Sequence, residues 1–132
     1  MNKKFLLCII FIFVLAIPFC FAGELSAADN FDNALHSANS QNKKVIVVFD
    51  SKSCTYCDMF KNDVLKNENV INQLNNEYIT VILDTNENSD IASKYKIFGT
   101  PTTVILDGNS TEIGRIEGYV GADEFLKELK EI

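Results

Sequence analysis

Five consecutive β-branched or aromatic residues, Val45-Ile46-Val47-Val48-Phe49, leave this chain few ways to fold. A strand with one wet face alternates apolar and polar residues. A run with no polar break is apolar on both faces and belongs inside a sheet covered on both sides. Tyr78 to Leu83 (YITVIL) repeats the signal, and Thr102 to Leu106 (TTVIL) supplies a third strand. Around them the period becomes helical. Phe31, Ala34, Leu35 and Ala38 follow the i, i+3, i+4, i+7 pattern, with Asp29 or Asn30 as cap. Phe60, Val64 and Leu65 share one side of a second helix. Asn67 to Asn69 interrupts it, and Val70, Ile71 and Leu74 resume a helical face. Ile91, Ala92 and Tyr95 predict a short helix with Ser89 as its cap, and Phe125, Leu126 and Leu129 a closing one. Asp107-Gly108-Asn109 signals a hairpin that pairs the third strand with Glu112 to Glu117, which Gly118 ends. The order α, β, α, β, α, β, β, α predicts an α/β domain. Its central mixed β-sheet has about four strands, with helices on both faces.

The N-terminus does not belong to that pattern. Asn2, Lys3 and Lys4 precede an uncharged apolar run from Phe5 to Ile17, then Pro18 and the small residues Ala22, Gly23, Ser26, Ala27 and Ala28. This is the layout of a secretory signal peptide. The expected leader is 1–22, cut after Ala22 with Cys20 at −3, or as late as Ala28 with Ser26 at −3. The domain is expected at 29–132. The competing reading is an uncleaved anchor. Phe5 to Phe21 is at the short limit for crossing a bilayer, and Pro18 breaks a helix near its end. Phe19 stands where a lipoprotein signal needs a small residue before its cysteine, which argues against lipidation of Cys20. The expected location is exported, periplasmic or otherwise extracytoplasmic. Losing Lys3 and Lys4 takes the net charge from −6 to −8, or to −7 if Glu24 leaves too. Such an acidic surface disfavours nucleic acid and anionic membrane as partners.

Cysteine usage points to the chemistry. With Cys8 and Cys20 in the leader, the remaining two fall in one tetrapeptide, Cys54-Thr55-Tyr56-Cys57. They sit where a buried strand ends and a helix begins, in a chain bound for a compartment where disulfides persist. At that junction a Cys54 thiolate meets unsatisfied backbone N–H groups and the positive end of the helix dipole. Its pKa is expected below the free value of about 8.5. Lys52 is placed to help if it lies alongside. Cys57, one helical turn on, can close a local disulfide. Cys54 is then the exposed nucleophile, and Cys57 the buried cysteine that resolves the mixed disulfide.

Other uses of the pair have less behind them. A structural crosslink closing so short a loop constrains the unfolded chain little. Zinc needs about four ligands, and only His36 remains besides scattered carboxylates. Copper(I) suits two soft thiolates, so a copper(I) metallochaperone is the competing class. Of the side chains a copper loop would want, only Met59 is near the cysteines in sequence. No metal or cofactor is therefore expected.

From about Phe31 to Ile132 the chain resembles the thioredoxin superfamily. The matching segments are the strand VIVVF before SKSCTYC, the segment GTPTTVILD, and the terminal GYVGADEFLKEL. The resemblance implies a thioredoxin-like fold in which Pro101 is cis and packs beside the cysteines. It also implies that Thr100 offers its backbone to an extended substrate segment. Tyr56 is expected exposed beside Cys54, either as a substrate contact or only as a residue that tunes the helix start. The segment FKNDVLKNENVINQLNNEY is similar to exported members, including the C-terminal domain of the transmembrane electron carrier DsbD. That likeness implies a protein-disulfide reductase acting on protein disulfide substrates, fed by a membrane electron donor of DsbD or CcdA type and working as a monomer. Service to cytochrome c maturation is a further role within that reading.

The departures are specific. Ser53 stands where thioredoxin has Trp before its first cysteine, and Thr55-Tyr56 where it has Gly-Pro. Val48 stands where thioredoxin has a buried proton-transferring Asp, with Asp50 and Asp58 as the nearby carboxylates. His36 is expected as a surface or boundary residue, and Tyr119 and Phe125 as packing residues. Glu68, Glu77 and Glu87 are expected to be solvated.

Overall fold

A computed structural model describes residues 23–132. The expected leader at 1–22 lies outside the described residues. Strand β1 (Ala27–Ala28) leads into helix α1 (Phe31–Gln41), strand β2 (Lys44–Asp50) and helix α2 (Thr55–Met59). A π-helical turn, Phe60–Val64, continues α2. Helix α3 (Glu68–Glu77), strand β3 (Tyr78–Asp84), helix α4 (Ser89–Lys94), strands β4 (Thr102–Leu106) and β5 (Glu112–Glu117), and helix α5 (Ala122–Glu131) follow.

The sheet runs β1-β3-β2-β4-β5. β1 and β2 lie parallel to β3, while β4 is antiparallel to both β2 and β5. It therefore has five strands rather than about four. The additional one is a pair of alanines, too short to show any period.

The polar-free runs take the central positions, where both faces are covered. Val45, Val47 and Phe49 pack with Val81, Leu83, Val104 and Leu106 under α1 and α4. Ile46 and Val48 point the other way, into a core with Phe60, Val64, Val70, Leu74, Ile105, Phe125 and Leu129. This is the period-2 alternation of a strand with two apolar sides. The chain before α1 also joins the fold. Leu25 packs on the second core, the Ser26 N–H donates to Asn75 Oδ1 at 2.9 Å, and Asn75 Nδ2 donates to the Glu24 carbonyl at 2.9 Å.

Local chemistry sets most boundaries. Asn30 caps α1 by accepting from the Asn33 N–H, and Asn67 caps α3 by accepting from Asn69 and Val70. The cap of α4 is Asn88, without a side-chain cap bond, and not Ser89. Asp84 organises that turn instead, its Oδ1 accepting from the Asn86 and Glu87 N–H groups. The predicted hairpin forms, with a loop longer than its Asp-Gly signal suggests. Asp107 Oδ1 accepts from Asn109 and Thr111, and Ser110 takes the left-handed conformation at φ 63°.

Candidate redox site

Strand β2 delivers the chain to the sheet's edge at Asp50, and four residues turn it into α2. Ser53 makes the last part of that turn at φ 65°, a left-handed conformation that costs a non-glycine residue roughly 1–2 kcal/mol. Cys54 then occupies the N-cap, and its sulfur does what a Ser or Asp oxygen does at other caps. The Cys57 N–H donates to Cys54 Sγ at 3.1 Å. The same backbone group that caps the helix is thus placed to stabilise charge on Cys54. Cys54 and Cys57 are joined by a disulfide, with their Cα atoms 5.2 Å apart.

The two cysteines differ in access. Cys57 is 1% exposed, on the buried side of α2, whereas Cys54 is partly open to solvent. Across from Cys54, the Thr100–Pro101 peptide bond is cis. The Thr100 carbonyl oxygen and Oγ1 each lie 3.5 Å from Cys54 Sγ. Ser51 Oγ and Thr100 Oγ1 share a hydrogen bond of 2.8 Å, tying the loop before the cysteines to the proline loop. Tyr56 is 62% exposed on the same surface, so Cys54, Tyr56, Thr100 and Pro101 all converge there.

Several neighbours stand elsewhere than the sequence suggests. Lys52 does not reach Cys54. Its ammonium pairs with Glu87 at 2.8 Å on the exposed rim, and Glu87 holds its pKa above the usual lysine value. Val48 is buried at 1% exposure in the core with Ile46, Phe60 and Ile105 and offers no carboxylate there. Lys61, on the π-helical turn that continues α2, donates to Asp50 Oδ2 at 2.9 Å and sits 3.6 Å from Asp58. The Asp50 bond raises the Lys61 pKa. His36 is exposed on α1, away from the cysteines in sequence and on a different element. Glu68 and Glu77 are exposed as expected, and Phe125 is a fully buried core residue.

Two aromatic residues of this surface were not legible as such. Tyr119 packs against the exposed Tyr56 with ring centroids 6.4 Å apart, and its hydroxyl donates to Asp63 at 3.3 Å. Phe98 is 94% exposed beside Gly99 and Thr100. An aromatic residue just before a Gly-Thr-Pro turn, outside any periodic element, is the signal that marks it. Among the described residues no group of three or more His, Cys, Asp or Glu is placed to hold a metal ion.

A family model described as a thioredoxin-like domain matches residues 31–132. The chain belongs to the thioredoxin-like family. A disulfide formed by CxxC at a strand-to-helix junction of such a domain is a thiol–disulfide oxidoreductase site. The thiol:disulfide interchange protein DsbD of Pseudoalteromonas atlantica is 29% identical over 109 residues, which cover 79% of this chain and 18% of that protein. The chain therefore spans less than a fifth of that curated relative. Among solved structures, a thioredoxin from Thermus thermophilus is 31% identical with a TM-score of 0.75, over 83% of this chain and 87% of that one. The DsbD C-terminal domain of Neisseria meningitidis, in oxidised form, superposes with a TM-score of 0.64 at 17% identity. It covers 83% of this chain and 98% of that one, a likeness of fold.

Proposed function

We propose that this thioredoxin-like chain works outside the cytoplasm and reduces disulfides in partner proteins. The observation that carries the reading is the asymmetry of the pair. Cys54 is partly open, capped by the Cys57 N–H and faced by Thr100, whereas Cys57 is buried one turn behind it. In the dithiol state the Cys54 thiolate attacks one sulfur of a substrate disulfide. A Cys54–substrate disulfide forms and the first substrate thiolate leaves, taking up a proton. Cys57 loses its proton and attacks Cys54 Sγ, expelling the second substrate thiolate and closing the Cys54–Cys57 disulfide. Two electrons and two protons pass to the substrate, and a dithiol donor must restore the pair. The likeness to DsbD supports a membrane donor of DsbD or CcdA type and the reducing direction. The basic, apolar and small-residue layout at 1–28 supports export. The packing of Leu25 and the bonds to Ser26 and Glu24 favour cleavage after Ala22 over Ala28, because the later cut removes part of the folded sheet. The protein acts as a monomer in this reading, with Thr100, Pro101 and Tyr56 contacting the substrate.

Purified protein supplied with dithiothreitol should reduce insulin faster than dithiothreitol alone. In cells, Cys57→Ser should accumulate covalent mixed disulfides, and Cys54→Ser should not. Equal trapping by both variants overturns the assignment of nucleophile. A measured potential of the couple near about −270 mV fits a reductase, and one near about −120 mV an oxidant.

A further inference from the structure

Two open slots flank the proline loop beside Cys54. One, of about 290 Å³, is lined by Tyr56, Thr100, Pro101, Gly118 and Tyr119. The other, of about 250 Å³, shares Thr100, Pro101 and Gly118 but is closed by Phe98 and Glu117. The Gly118 N–H donates to the Pro101 carbonyl at 2.8 Å, and this holds the ridge between the slots. An extended segment whose cysteine meets Cys54 must pass Thr100. The stretches before and after that cysteine then leave Thr100 in opposite directions along the strand, one toward each slot.

The slots differ in chemistry. The first is walled by two tyrosine rings, which suits an aromatic or large apolar side chain. Glu117 borders the second and its side chain is 70% exposed, and among the described residues its only ion pair is a long 3.4 Å contact to Arg115. That arginine is committed elsewhere. It makes 2.6 and 2.7 Å bonds to Glu112 and a 2.8 Å bond to the Tyr95 carbonyl. Two carboxylates thus share one guanidinium, and the slot keeps negative charge. Asp63 accepts from the Tyr119 hydroxyl at 3.3 Å.

Resting on the thiol–disulfide reading above, we propose that the preferred partner is a protein segment with a cationic residue on one side of its reactive cysteine and an aromatic one on the other. Glu117 selects the first and the Tyr56–Tyr119 slot the second. The choice of a cationic partner rests on charge complementarity with a chain whose net charge is −8 without Lys3 and Lys4.

The test uses the described chain, residues 23–132, with short peptides whose single cysteine is held as a glutathione mixed disulfide. The cysteine is flanked by Phe and Lys, or by Phe and Glu, in both orders. In the better order the Lys peptide should have the higher kcat/KM, by about three- to tenfold at low salt, and the ratio should shrink as salt screens it. Glu117→Gln should bring the ratio toward one, and Glu117→Lys should invert it. Replacing the peptide's Phe by Ser should lower kcat/KM in the wild type and much less in Tyr119→Ala. Because each variant is judged by a ratio between peptides, a general loss of activity does not imitate the result. A Lys-to-Glu ratio within twofold in both orders, or one that Glu117→Lys leaves unchanged, overturns the proposal. Reduction of hydroxyethyl disulfide by the wild-type protein separates the two levels. If it is turned over without a peptide preference, only the slot assignment fails. If it is not turned over, the exchange reading fails and the proposal with it.

Discussion

Phe60 is the residue that fixes the cysteine helix to the rest of the protein, and truncating it should be costly in a specific way. It follows α2 directly and is 1% exposed. Its ring meets that of the fully buried Phe125 edge-on, with centroids 5.4 Å apart. Core Phe→Ala substitutions cost roughly 3–5 kcal/mol through lost transfer energy and the cavity left behind. About 0.5–1.5 kcal/mol of that belongs to the aromatic pair itself. Val48, Val64 and Leu129 belong to the same packed core and are held by the sheet and two helices, so the hole cannot collapse fully. Phe60→Ala should therefore lose about 4 kcal/mol, a large share of the roughly 5–15 kcal/mol that holds a domain folded. Phe60→Leu, which keeps most of the volume, should lose about 1.5 kcal/mol. Urea denaturation of the oxidised protein should show the midpoint moving at constant slope. A double-mutant cycle with Phe125→Leu should return a coupling of about 0.5–1.5 kcal/mol. In the reduced protein, Phe60→Ala should also speed alkylation of Cys57 relative to Cys54, since the helix burying Cys57 loses its anchor. A stability loss below about 1.5 kcal/mol for Phe60→Ala, with the alkylation ratio unchanged, would refute the anchoring argument.

Removing residues 23–28 should lower the thermal midpoint against a chain beginning at Gly23. The shorter chain loses the β1 pairing with Thr80 and Val81 and the contacts of Leu25, and equal midpoints would show that the strap adds nothing. Thr80 Oγ1 is buried with no hydrogen-bond partner among the described residues, so Thr80→Val should be neutral or stabilising by up to about 1 kcal/mol in urea denaturation. The Arg115 hydrogen bonds hold the Glu112 pKa below its usual value. A depressed carboxylate pKa stabilises the fold above the unfolded-state value and loses that contribution as pH falls through the folded one. The stability gap between wild type and Glu112→Gln, about 1 kcal/mol near neutrality, should thus close as pH drops below about 4.5. A gap that persists at pH 3 would locate the effect in packing instead.

How much of this was legible from the residues depends on whether local rules or distant contacts decide. Val45–Phe49 and Tyr78–Leu83 read as double-sided strands because their whole surroundings are apolar, and they are the two central parallel strands. Asn30, offered with Asp29 as a cap, does cap α1, and Asn67, read only as a break in a helix, proves to be the cap of the next one. Ala27–Ala28 escaped because its strand character comes wholly from pairing with β3 and the Asn75 amide, about fifty residues away. Lys52 was misjudged for the same kind of reason. Its proximity to Cys54 in sequence says nothing about Glu87, which another loop brings to it. Tyr119 read as packing because a lone aromatic near a helix start carries no mark of which side it faces.

The substitution of Val48 has a consequence for how the site must work. In the resolving step Cys57 has to give up a proton while it is 1% exposed, and desolvation alone disfavours the thiolate. A carboxylate at position 48 would accept that proton from within the core, but Val48 packs there among Ile46, Phe60 and Ile105 and offers no acceptor. The proton therefore passes to water or to a carboxylate outside that core, and Asp50 and Asp58, both paired with Lys61, are the carboxylates close in sequence. Lys61 is one helical turn beyond Cys57, and the pair is only partly buried. The π-helical turn presents Lys61 to Asp50 at the point where β2 ends.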